Sequence, residues 1–266
     1  MDVIVVGAGL FGSIAATLAR KRGASVTVID SGEAYAASQA SGCVLKPSWL
    51  SSLSKEEIAT GYGVLNSLYS VQDLVFRANL GVTVKAQHVN PRKIIVKPDR
   101  VGKVVKVRDG VVTLLNGEVL RGKVLIAAGI WSQGIIDMPP IKGLFGASLR
   151  FPRQQLPEPR LVVYAPYRQA VALNIDKDVW MGDGTALIEK SWSLDRIDLT
   201  VARANDLFGL TGAFKYNVGA RPYVEGHKGG FYARRGNHTW ISTGGAKNGT
   251  MLAALFAHRF VKELKL

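Results

Sequence analysis

The sequence predicts an α/β fold, with a parallel dinucleotide-binding sheet joined to a smaller antiparallel, β-rich portion. Three observations predict it. The chain opens on the apolar run Val3-Ile4-Val5-Val6, followed by Gly7-Ala8-Gly9-Leu10-Phe11-Gly12, a helix of small residues, and Ser25 to Ile29 closed by Asp30. A second apolar run, Lys123 to Ala128, ends on Gly129 and returns the chain to the first sheet. From about Gly143 to Phe214 short apolar runs bounded by turn residues replace that pattern, as an antiparallel sheet requires.

The first unit is Rossmann-like because every part stands in register. Gly7 allows the tight turn out of the strand, Gly9 lets the backbone approach a pyrophosphate, and Gly12 lets helix and strand pack closely. The helix that starts at Leu10 and Phe11 directs its N-terminus at the phosphate charge. Asp30 is placed to accept hydrogen bonds from a ribose diol. A glycine turn in an ordinary α/β fold is the alternative.

After Asp30, the Ser-, Ala- and Gly-rich stretch Ser31 to Ser54 reads as an irregular loop crossing a ligand. Ser54, with Glu57 three residues on, caps a helix running to Leu68, and a second, shorter helix is expected over Val71 to Leu80. Strands follow at Val101 to Val107, Val111 to Leu115 and Glu118 to Leu120, with Asp109-Gly110 and Asn116-Gly117 as hairpin turns. Leu161 to Tyr164, Ala170 to Asn174 and Val179 to Met181 read as strands, with a helix near Leu194 to Phe208. Gly229 to Ala233 and Thr239 to Ser242 read as strands too, and Gly244 to Gly249 opens a terminal helix. The divisions this suggests are 1–80, the first βαβ unit and its helices; 81–142, hairpins and return strand; 143–218, the substrate-facing part; and 219–266, a return to the first sheet.

Composition narrows the chemistry. With 266 residues and 47% apolar content the chain can bury a sizeable core. No apolar run reaches the ~18 residues of a spanning helix, and the N-terminus lacks the basic flank of a secretory signal, so a cytoplasmic location is expected. Cys43, the only cysteine, rules out an intramolecular disulfide, and four scattered histidines recommend no metal site. An organic cofactor is therefore expected to carry the reaction. The formal charge is +14. Between Lys85 and Arg108 eight basic residues, among them Arg92, Lys93, Lys97, Arg100, Lys103 and Lys106, face only Asp99. Such a field suits a nucleic acid, though a solvated basic surface has the same composition.

Several separated segments together resemble the FAD-dependent amino-acid oxidases of the glycine oxidase and D-amino-acid oxidase type. Gly7, Gly9, Gly12 and Asp30 match the FAD-binding unit. Ser38-Gln39-Ala40-Ser41-Gly42-Cys43-Val44-Leu45, which follows Ser31, is similar to the loop passing the flavin ring. Ala127-Ala128-Gly129-Ile130-Trp131-Ser132 matches a second glycine turn against the cofactor. Gly219-Ala220-Arg221-Pro222 resembles the segment whose arginine holds the substrate carboxylate. Gly244-Gly245-Ala246-Lys247-Asn248-Gly249 resembles the segment around the far edge of the flavin, with Lys247 where such sequences often carry an arginine. Tyr164 loosely matches a substrate-binding tyrosine, one residue out of register. Cys43 beside the ring offers a thiol, although a small buried thiol is ordinarily inert packing. Trp180, Trp192 and Trp240 could wall the pocket or simply pack the core.

The resemblance implies an FAD enzyme that oxidises the C–N bond of an N-substituted glycine, with Arg221, Lys247 and Tyr164 at the substrate. The chain is shorter than the glycine oxidases, which implies a trimmed substrate domain and an outsized substrate, glycine attached to a thymine or uracil base in DNA. The flavin-dependent lyases of bacteriophage thymidine hypermodification, and the oxidase half of a tRNA wobble-uridine enzyme, are similar cases within the wider family. Such a reaction releases glyoxylate and leaves an aminomethyl base. The alternatives are a free glycine or sarcosine oxidase, a nucleic-acid-binding protein that keeps FAD as a structural element, and an NAD-dependent dehydrogenase.

Overall fold

The computed structural model describes the chain except residues 80, 165–167, 183, 185–186, 189–194, 228 and 247, and except the side chains of residues 164, 168, 187–188 and 195–196. In chain order the elements begin with β1 (Asp2–Val6), α1 (Leu10–Lys21) and β2 (Ser25–Asp30). β3 (Val44–Leu45), α2 (Lys55–Leu68), β4 (Val71–Ala78), β5 (Thr83–Val89) and the single-turn helix α3 (Pro91–Ile94) follow. Next come β6 (Arg100–Val101), β7 (Val104–Arg108), β8 (Val111–Leu114), β9 (Val119–Arg121), β10 (Lys123–Ile126) and the long β11 (Ile141–Pro152). The remainder is β12 (Arg160–Tyr164), β13 (Arg168–Ile175), β14 (Asp178–Gly182), β15 (Leu187–Ile188), α4 (Asp195–Phe208), β16 (Lys215–Val224), β17 (Phe231–Arg235), β18 (Thr239–Thr243) and α5 (Gly249–Glu263).

Six strands in the order β17-β18-β10-β1-β2-β6 form the nucleotide-binding sheet, parallel from β18 to β6. Both of its faces are covered, which is why β1 is apolar at every position after Asp2. Val3 and Val5 pack with α1, α2 and α5, whereas Ile4 and Val6 pack with Val104, Val107, Val112 and Leu114 of a separate three-stranded sheet, β7-β8-β9. α2 starts as its sequence predicts: the Ser54 side chain accepts from the Glu57 amide and Glu57 accepts from the Ser54 amide.

A nine-stranded sheet, β15-β11-β14-β13-β12-β4-β5-β3 with β16 on β11, forms the second layer. Leu149, Phe151, Ala172 and Met181 on one face meet Ala204 and Phe208 of α4, and Phe76, Leu161, Leu173 and Trp180 form a cluster of their own.

The helix expected over Val71 to Leu80 is a strand over its described part. Val71, Leu74, Val75 and Ala78 fit a helical stripe, but the buried positions are Phe76 and Ala78, with Leu74 partly buried, at a period of two, and Val75 is 54% exposed. Pairing with β5 from Val71–Val89 to Arg77–Thr83 decides the competition, because it joins the segment to a sheet that the local pattern cannot display. In consequence β4 and β5 leave the first sheet for the second, so the 80/81 division separates two paired strands. The 218/219 division falls inside β16. Among the described residues no helix is long and apolar enough to cross a membrane.

His88, on β5 opposite Val44, is 3% exposed, and its Nε2 has no hydrogen-bond partner. Burial pushes its pKa down to about 4, against the opposing pull of Asp176. A depressed histidine favours the fold while neutral, so this contribution is complete above the unfolded pKa of ~6.5 and is lost as pH falls toward 4. Denaturant titrations should show stability dropping by about 3 kcal/mol across that window. In His88→Phe that part of the acid limb should flatten, and an unchanged limb would assign the loss to other groups.

Candidate functional site

A cavity of about 960 Å³ lies between the two large sheets. That is the upper end of ordinary ligand sites and leaves room for an extended dinucleotide. One end is bounded by Asp30, Ser31, Glu33 and Lys103, the middle by Gly7, Gly9 and Ala127 to Gly129, and the far end by Arg221, Gln169 and Lys46.

The first turn is built for close backbone approach. Gly7 has φ 106°, and a Cβ there would run into the carbonyl oxygen of Ala127 on β10. A Cβ on Gly12 would run into the carbonyl of Gly7. Asp30 ties the turn together, accepting from the Ala8 amide at 2.7 Å and the Gly32 amide at 2.7 Å, while its side chain still lines the cavity. Ser38 Oγ accepts from the Leu10 amide at 2.8 Å, which pins the following loop across the helix start.

That loop runs between the sheets, and its composition follows from the lack of space. A Cβ on Gly42 would stand 2.6 Å from the Trp180 ring, and one on Gly219 would stand 2.8 Å from the Ala37 Cα. Ala36 bridges to Ala220, and the Ala220 amide donates to the Tyr35 carbonyl. Cys43 is 3% exposed at φ 48°, with its amide donating to Ser41 Oγ at 3.1 Å. Burial pushes its thiol pKa up, which suits packing rather than nucleophilic chemistry.

Two helices present their N-termini to the cavity. Neither α1 nor α5 is capped by its own N-cap side chain or has an acidic residue in its first turn, so apart from the Leu10 amide held by Ser38 their first-turn amides and positive dipole ends remain available to a ligand. Beside α5, buried Asn248 Oδ1 lacks a partner while Nδ2 reaches Ser52 Oγ at 3.4 Å. Two helix starts without acidic residues, a carboxylate lining the cavity and an orphaned acceptor fit a flavin dinucleotide.

The cavity brings together Gly7, Gly9, Leu10, Phe11, Asp30, Ser31, Ser38, Ser41, Gly42, Cys43, Ala128, Gly129, Trp131, Arg221, Gly245, Ala246, Asn248 and Gly249, all expected from the sequence. Gly12 lies outside the lining and acts through its closeness to Gly7. Lys247, Trp192 and the Tyr164 side chain lie outside the described residues. Trp180 both packs in the core and lines the cavity, whereas Trp240 packs against Phe260 and donates to Glu263. Lys46, Trp49 and Gln169, which no motif singles out, also line the far end. For Lys46 the available signal is its place as the one basic residue of a loop of small residues. No local pattern marks Gln169.

The basic stretch is less uniform than its composition. Arg92 bridges Asp176 at 3.0 Å and Asp178 at 2.7 Å, Arg100 pairs with Glu118, and Lys103 pairs with Glu33 at 3.0 Å. Lys93, Lys97 and Lys106 are exposed, and among the described residues no ion pair is formed by them. Among the described residues no three His, Cys, Asp or Glu side chains group to hold a metal ion.

Residues 2–81 match the DAO family, described as FAD dependent oxidoreductase. The fold aligns with glycine oxidase from Bacillus cereus ATCC 14579 at a TM-score of 0.75 and 16% identity, over 99% of this chain and 97% of that one. The chain has a glycine oxidase fold. Glycine oxidase from Geobacillus kaustophilus aligns at 0.71 and 14% identity, over 99% and 94% of the two chains. Iminodiacetate oxidase from Chelativorans sp. BNC1 aligns at 0.68 and 16%, over 99% and 95%. No curated protein matches by sequence. With the family match over the first βαβ unit and a cavity suited to the dinucleotide, the cofactor of this glycine oxidase-like chain is FAD and the chain is an oxidoreductase.

Gly12→Ala tests this frame. The added methyl has backbone on its far side and nowhere to go, so a loss of about 3 kcal/mol in stability and of copurifying FAD is expected. A yellow protein of unchanged thermal midpoint would show that the α1–β1 approach is not needed.

Proposed function

We propose that the chain uses FAD to oxidise the C–N bond of a glycine-like amino acid, releasing the product of imine hydrolysis. The observation that carries the reading is one continuous cavity leading from the FAD-binding turns to Arg221, inside a glycine oxidase fold. When bound, FAD supplies the acceptor for the hydride of the carbon beside nitrogen.

The residues of the chain then have to orient, not to attack. Arg221, on β16, can hold a carboxylate through two parallel N–H···O bonds, which fixes the adjacent carbon. The residues opening α5 line the cavity, and their amides would supply fixed dipoles able to stabilise negative charge on the cofactor without reorganising. Trp49 and Trp180 exclude water from the far end. Anaerobic mixing with glycine or sarcosine should bleach the flavin absorbance. Arg221→Met should lower kcat/KM by about 100-fold or more while FAD stays bound, and normal turnover in that variant would remove Arg221 from the site.

The finer reading is that the glycine is carried on a thymine or uracil base in DNA, in the cytoplasm. What favours it is the +14 charge together with exposed Lys85, Lys93, Lys97, Lys106 and Arg108. Arg92, Arg100 and Lys103 spend their charge on neighbouring carboxylates, so the phosphate contacts are assigned to the exposed lysines. Replacing Lys93, Lys97 and Lys106 by Glu should weaken DNA binding and flatten its dependence on salt, by about one unit of log–log slope for each phosphate no longer neutralised. Unaltered affinity and slope would return the assignment to a free amino acid. DNA bearing glycylated thymine, compared with free glycine in the bleaching assay, separates the two substrates directly.

A further inference from the structure

The far end of the cavity holds a cation that neither the FAD-binding frame nor Arg221 explains. Lys46 closes the loop between the sheets and is 7% exposed, yet its side chain lines the cavity beside Trp49, Gln169 and Trp180. Nζ donates to Gln169 Oε1 at 2.8 Å and stands 5.5 Å from the centre of the Trp49 ring. Both neighbours are neutral. Among the described residues Lys46 makes no ion pair with a carboxylate. A desolvated ammonium without a counter-ion is costly, and burial pushes its pKa below the usual lysine value.

A purely structural role does not account for a charge at this position. Tying the loop to β13 through Gln169 requires one donor, which a neutral side chain supplies without desolvating an ammonium. Gly42, Gly146, Gly182 and Gly184 line the same cavity and put no side chain of their own into it, Gly42 and Gly182 because the Trp180 ring stands against them. Along the sheet the order is β16, β11, β14, β13, so Arg221 and the partner of Lys46 lie three strand spacings apart, about 14 Å between backbones. Arg221, reaching in from β16, and Lys46, held against Gln169 of β13, leave a gap of small-molecule size between them.

We propose that Lys46 receives a second carboxylate of the substrate, so that the site selects a dicarboxylic amino acid, one acid group on Arg221 and the other on Lys46. The proposal rests on the oxidase reading in its free amino-acid form, not its DNA form, for the role of Arg221, and on neither for the anion site at Lys46. A single desolvated cation is balanced by one negative charge, and a residue 7% exposed is out of reach of a polymer backbone, so the partner is a carboxylate on a small molecule and not a phosphodiester.

The test is equilibrium binding of succinate and acetate to the FAD-loaded protein, read by perturbation of the flavin spectrum and by thermal shift. Succinate should bind at least about tenfold more tightly than acetate, the worth of one charge-assisted hydrogen bond. Lys46→Met should collapse that ratio to near one, and Lys46→Arg should restore it. Lys46→Gln serves where the Met variant does not fold. A wild-type protein without the preference, or a Lys46→Met protein that keeps it, overturns the proposal, as does a variant whose only change is a lower thermal midpoint. The two readings fail separately. If no amino acid bleaches the flavin while succinate still binds through Lys46, the oxidase reading falls and the anion site stands. Bleaching by glycine with no succinate preference gives the reverse.

Discussion

The organising constraint is a loop held between two sheets. Residues between Asp30 and Ser54 run between the nucleotide-binding sheet and the nine-stranded sheet, and they do so where side-chain volume is excluded on both sides. On the side of the nine-stranded sheet Gly42 lies on the Trp180 ring and Gly219 of β16 lies under Ala37, and on the other side Gly9 lies against Ser38 Oγ. Filling Gly42 or Gly219 pushes the layers apart. The same separation defines the cavity, so the distance between the FAD-binding turns and the wall bearing Arg221 is set by packing that involves no functional group. Interiors this closely packed transmit small volume changes over several residues.

Charge works at two scales in this molecule. At the surface most of it is solvated, and ion pairs such as Arg92 with Asp176 and Asp178 link the α3 segment to the β13–β14 turn with modest energy. Inside the cavity a single charge has larger consequences because water does not screen it. Asp30 stands at one end of the cavity beside the start of α1, and Arg221 and Lys46 give the other end cationic character. A dinucleotide with a ribose at one end, and a carboxylate substrate beyond its ring, match that polarity.

How much of this was legible in the sequence depended on whether the determining interaction is local. The βαβ unit, the Ser54 capping box and the hairpin turns at Asp109-Gly110 and Asn116-Gly117 were legible because each is fixed within a few residues. β4 was not, since Val71, Leu74, Val75 and Ala78 satisfy a helix equally well and only β5 decides against it. The twelve residues of β11 span Gly143 and Gly146, which read as breaks until β16 is seen paired along the strand. The lining residues in glycine turns could be named individually, because a turn constrains its own backbone. The hydrogen bond from Lys46 to Gln169 spans 123 positions and left no local trace.

The strand order also dictates when the molecule can acquire its cofactor. β18 lies beside β10, and the start of α5 closes the cavity against α1, so the wall of the site opposite Gly7 comes from residues after 238. Until that stretch has left the ribosome, β10 has no partner on its outer edge and α1 lacks the cover of α5. The complete lining of the cofactor cavity therefore exists only once the residues that open α5 have been synthesised.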